Sequence, residues 1–218
     1  MKRAVVTLGA LAFAVLLISA MLAPLPGGVD LRASVAARMA ESGVEHPVTA
    51  VLLNFRGYDT LLEIAVLLLA LIVILSVGLD AASDRPRAIN PILQNLARLA
   101  APMTIVVAVY LLWAGAFRPG GAFQAGAVLA AAAVLLHLTG LLQSWQAPGR
   151  KLRWGLAAGF LIFLAVAAGL LSRGALLQYP PAQAGMLILL IEAGLTVSLG
   201  LILAGLFLLL SREPGDDA

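Results

Sequence analysis

Six stretches of the chain are apolar almost without interruption: residues 4–22, 60–79, 96–117, 122–142, 154–172 and 184–210. A helix crossing about 30 Å of hydrocarbon takes roughly 20 such residues. Barrel strands would alternate apolar and polar positions over about 10 residues. These runs do not alternate, so the pattern predicts an all-α, polytopic bundle of six transmembrane helices. The last run is long enough to tilt.

The polar interruptions set the punctuation. Pro24, Pro26, Gly27 and Gly28 end the first helix. Residues 34–42 suit a short helix stopped by Gly43. Residues 48–56 are apolar but too few to span, and are expected to lie in the interface or dock between helices. Asp59 is the expected N-cap of the second helix, with Glu63 in its first turns. Asn90-Pro91 reads as an N-cap followed by proline at the first helical position. Pro102 is expected to bend the third helix or free a carbonyl. Arg118-Pro119-Gly120-Gly121 forms a tight turn between the third and fourth helices.

Lys and Arg give the orientation. With the N-terminus inside, nine bases are cytoplasmic, among them Lys2, Arg3, Arg150, Lys151 and Arg153. Five are outside: Arg32, Arg38, Arg56, Arg118 and Arg173. The excess places both termini in the cytoplasm (N-in/C-in) of a multi-pass protein of the plasma (inner) membrane. The first run also has the form of a signal peptide, with Lys2-Arg3, an apolar core and small residues up to Ala23. Cleavage there would leave five helices.

Composition agrees. The 218 residues are 62% hydrophobic and 11% charged, against about 25% charged in soluble domains. The sequence pI near 9.8 comes from bases at helix ends and does not call for nucleic acid. Cys is absent, and His46 and His137 stand far apart. Neither a metal site, a cofactor nor an enzymatic activity is expected: no ligand spacing, nucleotide loop or nucleophile triad is present.

One polar residue stands out. Glu192 is the only ionisable side chain in the 27 residues from 184 to 210. An acid near mid-membrane costs about 2.5–3.5 kcal/mol on insertion scales, so it is expected to face protein or water. Thr196, one turn on, shares its face and suits a hydrogen bond to the carboxyl. Ion or proton handling competes here with a structural acid that seals an inter-subunit contact. Glu63, with Arg56 and Asp59 nearby, is a second candidate, read either as a cavity-mouth ion-pair group or as helix-start acids. His137, near the inner end of the fourth helix, is a proton carrier or a packing residue. Gly155 with Gly159, and Gly200 with Ala204, are small faces for close helix packing.

Two stretches resemble one family. Phe55-Arg56-x-x-Asp59-Thr60-x-x-Glu63, within residues 46–64, resembles the C-terminal module of the largest subunit of Mrp-type cation/proton antiporters. The same module occurs as a small separate subunit of membrane-bound hydrogenases. The family's Asp before Phe is Asn54 here, which removes a charge. From Ala97 to Gly140, Pro119-Gly120-Gly121-Ala122-Phe123-Gln124-Ala125-Gly126 resembles the "P-G-G-G-F-Q-G-G" turn of the antiporters' B-type membrane subunit. Ile191-Glu192-Ala193-Gly194-Leu195 is similar to that subunit's "I-E-I-G-V". The order implies two modules, 1–80 and 90–212, followed by a polar tail at 213–218.

The resemblance implies an accessory membrane subunit of a multi-subunit antiporter, akin to the membrane arm of respiratory complex I. Its partners would be other Mrp-type subunits, the bilayer, protons and monovalent cations such as Na+. Glu192, Glu63, Asp59, Arg56, His137 and Thr196 would contribute to an ion or proton pathway. Two alternatives stay open: the equivalent subunit of a larger redox- or carbon-linked complex, and a purely structural subunit. An independent carrier is disfavoured, because neither a repeat nor a broken-helix pair is visible.

Overall fold

In the computed structural model, residues 2–22, 31–77, 90–142, 149–172, 174 and 176–210 are described. Helices dominate these residues. They are α1 (Lys2–Leu22), α2 (Leu31–Arg38), α3 (Pro47–Ala50), α4 (Gly57–Val77), α5 (Pro91–Ala114), α6 (Ala122–Leu138), α7 (Arg150–Leu171) and α8 (Pro181–Leu210). The proline and glycine stop at 24–28, the tail at 213–218, and Arg85, Arg87, Arg173 and Arg212 lie outside the described residues.

Among the described residues, four helices are long and apolar enough to cross a membrane: residues 57–76 of α4, α5, α7 and α8. Two shorter apolar helices, Thr7–Leu22 and Ala122–Leu138, occupy the other two expected runs. The chain divides into two compact units, Met1–Ser34 and Val35–Ala218. In the first unit, the described side chains of α1 from Thr7 to Leu22 are all exposed.

In the second unit, α8 is the central element, packed against α6 and α7 and touching α4 and α5. It is apolar around its whole circumference, and such a helix belongs in an interior. Ile188, Ile191, Leu195, Leu199 and Ile202 are fully buried along it. Small residues let its neighbours come close. A Cβ at Gly159 of α7 would meet Ser198 Cβ at 2.7 Å and the Gly194 carbonyl at 2.9 Å. On the other side, Gly126 of α6 faces Leu199, and Gly200 faces Leu129. Ser198 also donates its hydroxyl proton to the Leu156 carbonyl of α7. A buried hydroxyl needs such a partner, since an unpaired one costs about 1–3 kcal/mol.

Several sequence expectations are met. Asn90 caps α5, its Oδ1 accepting from the N–H of Ile92 at 3.0 Å, with Pro91 first in the helix. Gly43 follows α2 and a 3-10 turn at Met39–Glu41, with φ +75°. Two boundaries differ. α4 begins at Gly57, so Asp59 is inside the first turn rather than its cap. α8 begins at Pro181, three residues before the apolar run, because proline is well placed at a helix start.

The apolar segment at 48–56 is a short helical insert. α3 passes into a π-helical turn, Val51–Phe55, which ends at Arg56. Thr49, Ala50 and Leu53 are buried, and the turn packs on α4 and α8. This docking covers Ala50 and Leu53, while Val48 and Leu52 stay exposed.

Candidate functional site

Glu192 lies at the centre of the second unit, only 3% exposed. Counting from Pro181, it sits about 16 Å along α8, deeper than the apolar run suggests. Its Oε1 accepts the backbone N–H of Ala122 at 3.3 Å. Ala122 is the first residue of α6, so the carboxylate faces a helix N-terminus, where unpaired N–H groups and the helix dipole favour negative charge.

The turn before α6 forms this cradle. Gly121 has φ +101° and ψ −171°, a region essentially reserved for glycine. A Cβ there would lie 2.6 Å from Glu192 Oε1. Gly121 is thus required twice, for its backbone and for the space the carboxylate occupies. The Gly121 N–H donates to the Leu111 carbonyl at 2.8 Å, folding the turn back on α5.

Thr196 behaves differently from expectation. It is buried on the same face, but its hydroxyl donates to the Glu192 backbone carbonyl at 2.8 Å. A threonine in a helix reaches the carbonyl four residues back more readily than a side chain that extends away from the axis. The carboxylate is held by the α6 N-terminus instead.

A cavity of about 230 Å³ opens beside the carboxylate, and Glu63 and Glu192 both line it. Thr49, Thr60 and Gln124 add oxygen atoms, and the Gly120-Gly121 turn forms another wall. The Thr60 hydroxyl donates to the Leu52 carbonyl at 2.7 Å, and Thr49 to the Gly115 carbonyl at 2.5 Å. With both protons committed, the hydroxyl lone pairs remain as acceptors. The cavity therefore presents two carboxylates and several neutral oxygens, a set suited to a proton, a hydrated cation or a bare monovalent cation. The Leu52 carbonyl that Thr60 uses lies in the π-helical turn, a form common at functional sites.

The other expected site residues divide. Arg56 and Asp59 form a salt bridge one turn apart, and both are exposed. Neither lines the cavity with Glu63, so the three side chains do not form one ion-pair group. His137 is half-buried in the last turn of α6, fifteen residues beyond Ala122 and about 22 Å along the axis. Its Nδ1 is buried without a partner among the described residues. It lines neither of the two cavities that Glu192 lines. No group of three or more His, Cys, Asp or Glu suited to a metal ion occurs among the described residues.

Sequence reasoning missed the glycine cradle and one acid, Glu45. The N–H groups of Glu45 and His46 both donate to the Ala116 carbonyl, at 2.8 and 3.0 Å. Glu45 lines a second cavity of about 690 Å³ that also reaches Glu192. Its only sequence signal was its position just before His46-Pro47.

An all-helical membrane subunit with a buried carboxylate seated on a glycine turn is the class that fold and site define. Residues 92–209, more than half of the chain, match the family model "Domain related to MnhB subunit of Na+/H+ antiporter". The chain belongs to this family, and is an Mrp-type accessory membrane subunit. Two solved structures are similar over essentially the whole chain. One is a chain of the membrane-bound sulfane sulfur reductase, an archaeal respiratory membrane complex. It has a TM-score of 0.69 and 21% identity, covering 98% of this chain and 100% of that one. The other is a chain of the Mrp complex from Dietzia sp. DQ12-45-1b, with a TM-score of 0.66 and 20% identity. It covers 100% of this chain and 27% of that one, which is much longer. No curated protein matches the chain.

Proposed function

We propose that this chain works in an Mrp-type cation/proton antiporter complex as a subunit that lines part of the ion path, rather than only bracing its neighbours. The observation that carries the reading is the single cavity lined by Glu63 and Glu192. The two acids come from helices far apart in sequence, α4 and α8. A structural acid needs only a hydrogen-bond partner. These two instead face one space with further oxygens around it, as intramembrane acids on an ion path do.

In this reading the chain crosses the plasma membrane six times, with both termini in the cytoplasm. α6 is the short crossing, about 26 Å long. The cavity then opens in the outer half of the bilayer. Exposed Tyr58, Tyr110 and Trp113 near that end, and exposed Trp154 at the start of α7, fit aromatic belts at the two interfaces. Arg118→Cys should react with an impermeant thiol reagent from outside, and Gly149→Cys only after the membrane is opened. The opposite pattern would reverse the orientation.

The test of function is Glu192→Gln in the assembled complex, reconstituted in vesicles. Glutamine keeps an acceptor for the Ala122 N–H and loses only the charge. Normal co-purification of subunits with transport lost supports the pathway. Lost assembly makes Glu192 a structural acid.

A second reading has its own support: the full-length likeness to a chain of a reductase complex. An Mrp-like module driven by an attached enzyme would use the same cavity. The subunits that co-purify with the chain decide between the two.

A further inference from the structure

Among the described residues, the two cavities at Glu192 share one lining residue, and it is Glu192 itself. Each holds one other carboxylate: Glu63 in the smaller chamber, Glu45 in the larger. The partition between them is pinned by backbone. The Ala116 carbonyl accepts from Glu45 and His46, and the Gly115 carbonyl from Thr49. Gly121 closes against Glu192 Oε1. A carboxyl group is therefore the side chain through which one chamber reaches the other.

Both chambers are mostly apolar, and they differ in their neutral polar side chains. The smaller one has Thr49, Thr60 and Gln124 beside its acids. The larger is walled mainly by apolar and aromatic groups, among them Val44, Trp113, Phe117 and Leu189. A bare cation there meets only the Glu45 and Glu192 carboxylates among the lining side chains, with no neutral oxygen from a side chain to complete the replacement of its water, and incomplete replacement is costly. A proton needs only a transient file of water between two carboxyls. Apolar constrictions pass or stop such a file by wetting and drying.

Building on the pathway reading, we propose that Glu192 is a two-sided relay: the Glu45 chamber delivers protons to it, and the Glu63 chamber holds the cation that its negative charge attracts. A proton leaves the Glu45 carboxyl and joins the Glu192 carboxylate, and Glu45 takes up another from outside water. The now neutral acid loses its attraction for the cation across the smaller chamber, and the cation leaves. Binding of a new cation favours the charged form and returns the proton. Glu45, Glu63 and Glu192 are the titratable side chains lining the two chambers. His46 and Arg118 stand on the surrounding segments and line neither.

The test uses the assembled complex in vesicles, with transport measured across pH and across Na+ or K+ concentration. Glu45→Gln removes the outer proton donor, and Leu189→Trp fills the larger chamber from its exposed side. Both should lower turnover, Glu45→Gln by about 10²-fold, and shift its pH profile, with the half-saturating cation concentration unchanged. Thr60→Val should do the reverse, raising that concentration while keeping the pH profile. If Glu45→Gln and Leu189→Trp match the parent pH profile while Glu192→Gln abolishes transport, the relay is overturned and the pathway reading stands. If Glu192→Gln itself transports normally, both are overturned. If Leu189→Trp fails to assemble, Glu45→Gln alone decides, since Glu45 is exposed and its replacement preserves shape.

Discussion

Glu192 and Glu63 line one cavity from opposite environments. Glu192 is buried in the longest helix and seated on a helix N-terminus. Glu63 is exposed on α4 and has no ion pair or hydrogen bond among the described residues. The fold invests in the first acid: a glycine turn, a committed N–H and the packing of three helices. It leaves the second one loose. Removing charge and removing shape should therefore separate at Glu192 and coincide at Glu63.

The largest effect is expected at the cradle. Gly121→Ala must leave a backbone region closed to alanine, at about 1–3 kcal/mol, and must also move the Glu192 carboxylate from a point 2.6 Å away. Assembly should fall, with a lower melting temperature for whatever complex forms. A variant with the parent's stability would mean that the cradle is not what holds Glu192.

Next comes Glu192 itself. Glu192→Leu leaves the Ala122 N–H buried and unpaired, at about 1–3 kcal/mol, whereas Glu192→Gln keeps that bond. The leucine variant should melt lower than the glutamine variant, with transport lost in both. Equal stability would show that the hydrogen bond contributes little and that apolar packing replaces it.

At Glu63 the expected effect is smaller. Glu63→Gln should reduce transport several-fold or shift its pH dependence, with stability changed by less than about 0.5 kcal/mol, as for other exposed positions. Transport equal to the parent across pH and sodium concentration would return Glu63 to a helix-start acid.

How far these contrasts were visible in the sequence depends on the range of the interaction. The helices were legible because a long apolar run needs no partner to be read, and Asn90-Pro91 because a cap is local. Glu192 was legible because one acid in 27 apolar residues has few reasons to be there. Its partner was not, because the Ala122 N–H is 70 residues away and a backbone donor leaves no mark in composition. The assignment of Thr196 to the carboxyl failed for a related reason: sharing a face does not choose between a carboxyl and a backbone carbonyl. Glu45 was passed over because an acid in a loop looks solvated until a cavity is seen behind it.

The smallest effect is expected at Arg56 and Asp59. Their salt bridge is exposed on both sides, with side chains 66% and 55% accessible. Exposed pairs contribute about 0–1 kcal/mol, because water screens the attraction and both side chains lose freedom. The pair is also one turn apart at the start of α4, where Asp59 gains a little from the helix dipole without Arg56. A double-mutant cycle with Arg56→Gln and Asp59→Asn should give a coupling below about 1 kcal/mol. Transport in the double variant should change less than in Glu63→Gln, since neither side chain lines the cavity. A larger loss would place the pair in front of Glu63 as the mouth of the path. It would then restore the three-residue group that their sequence spacing suggests.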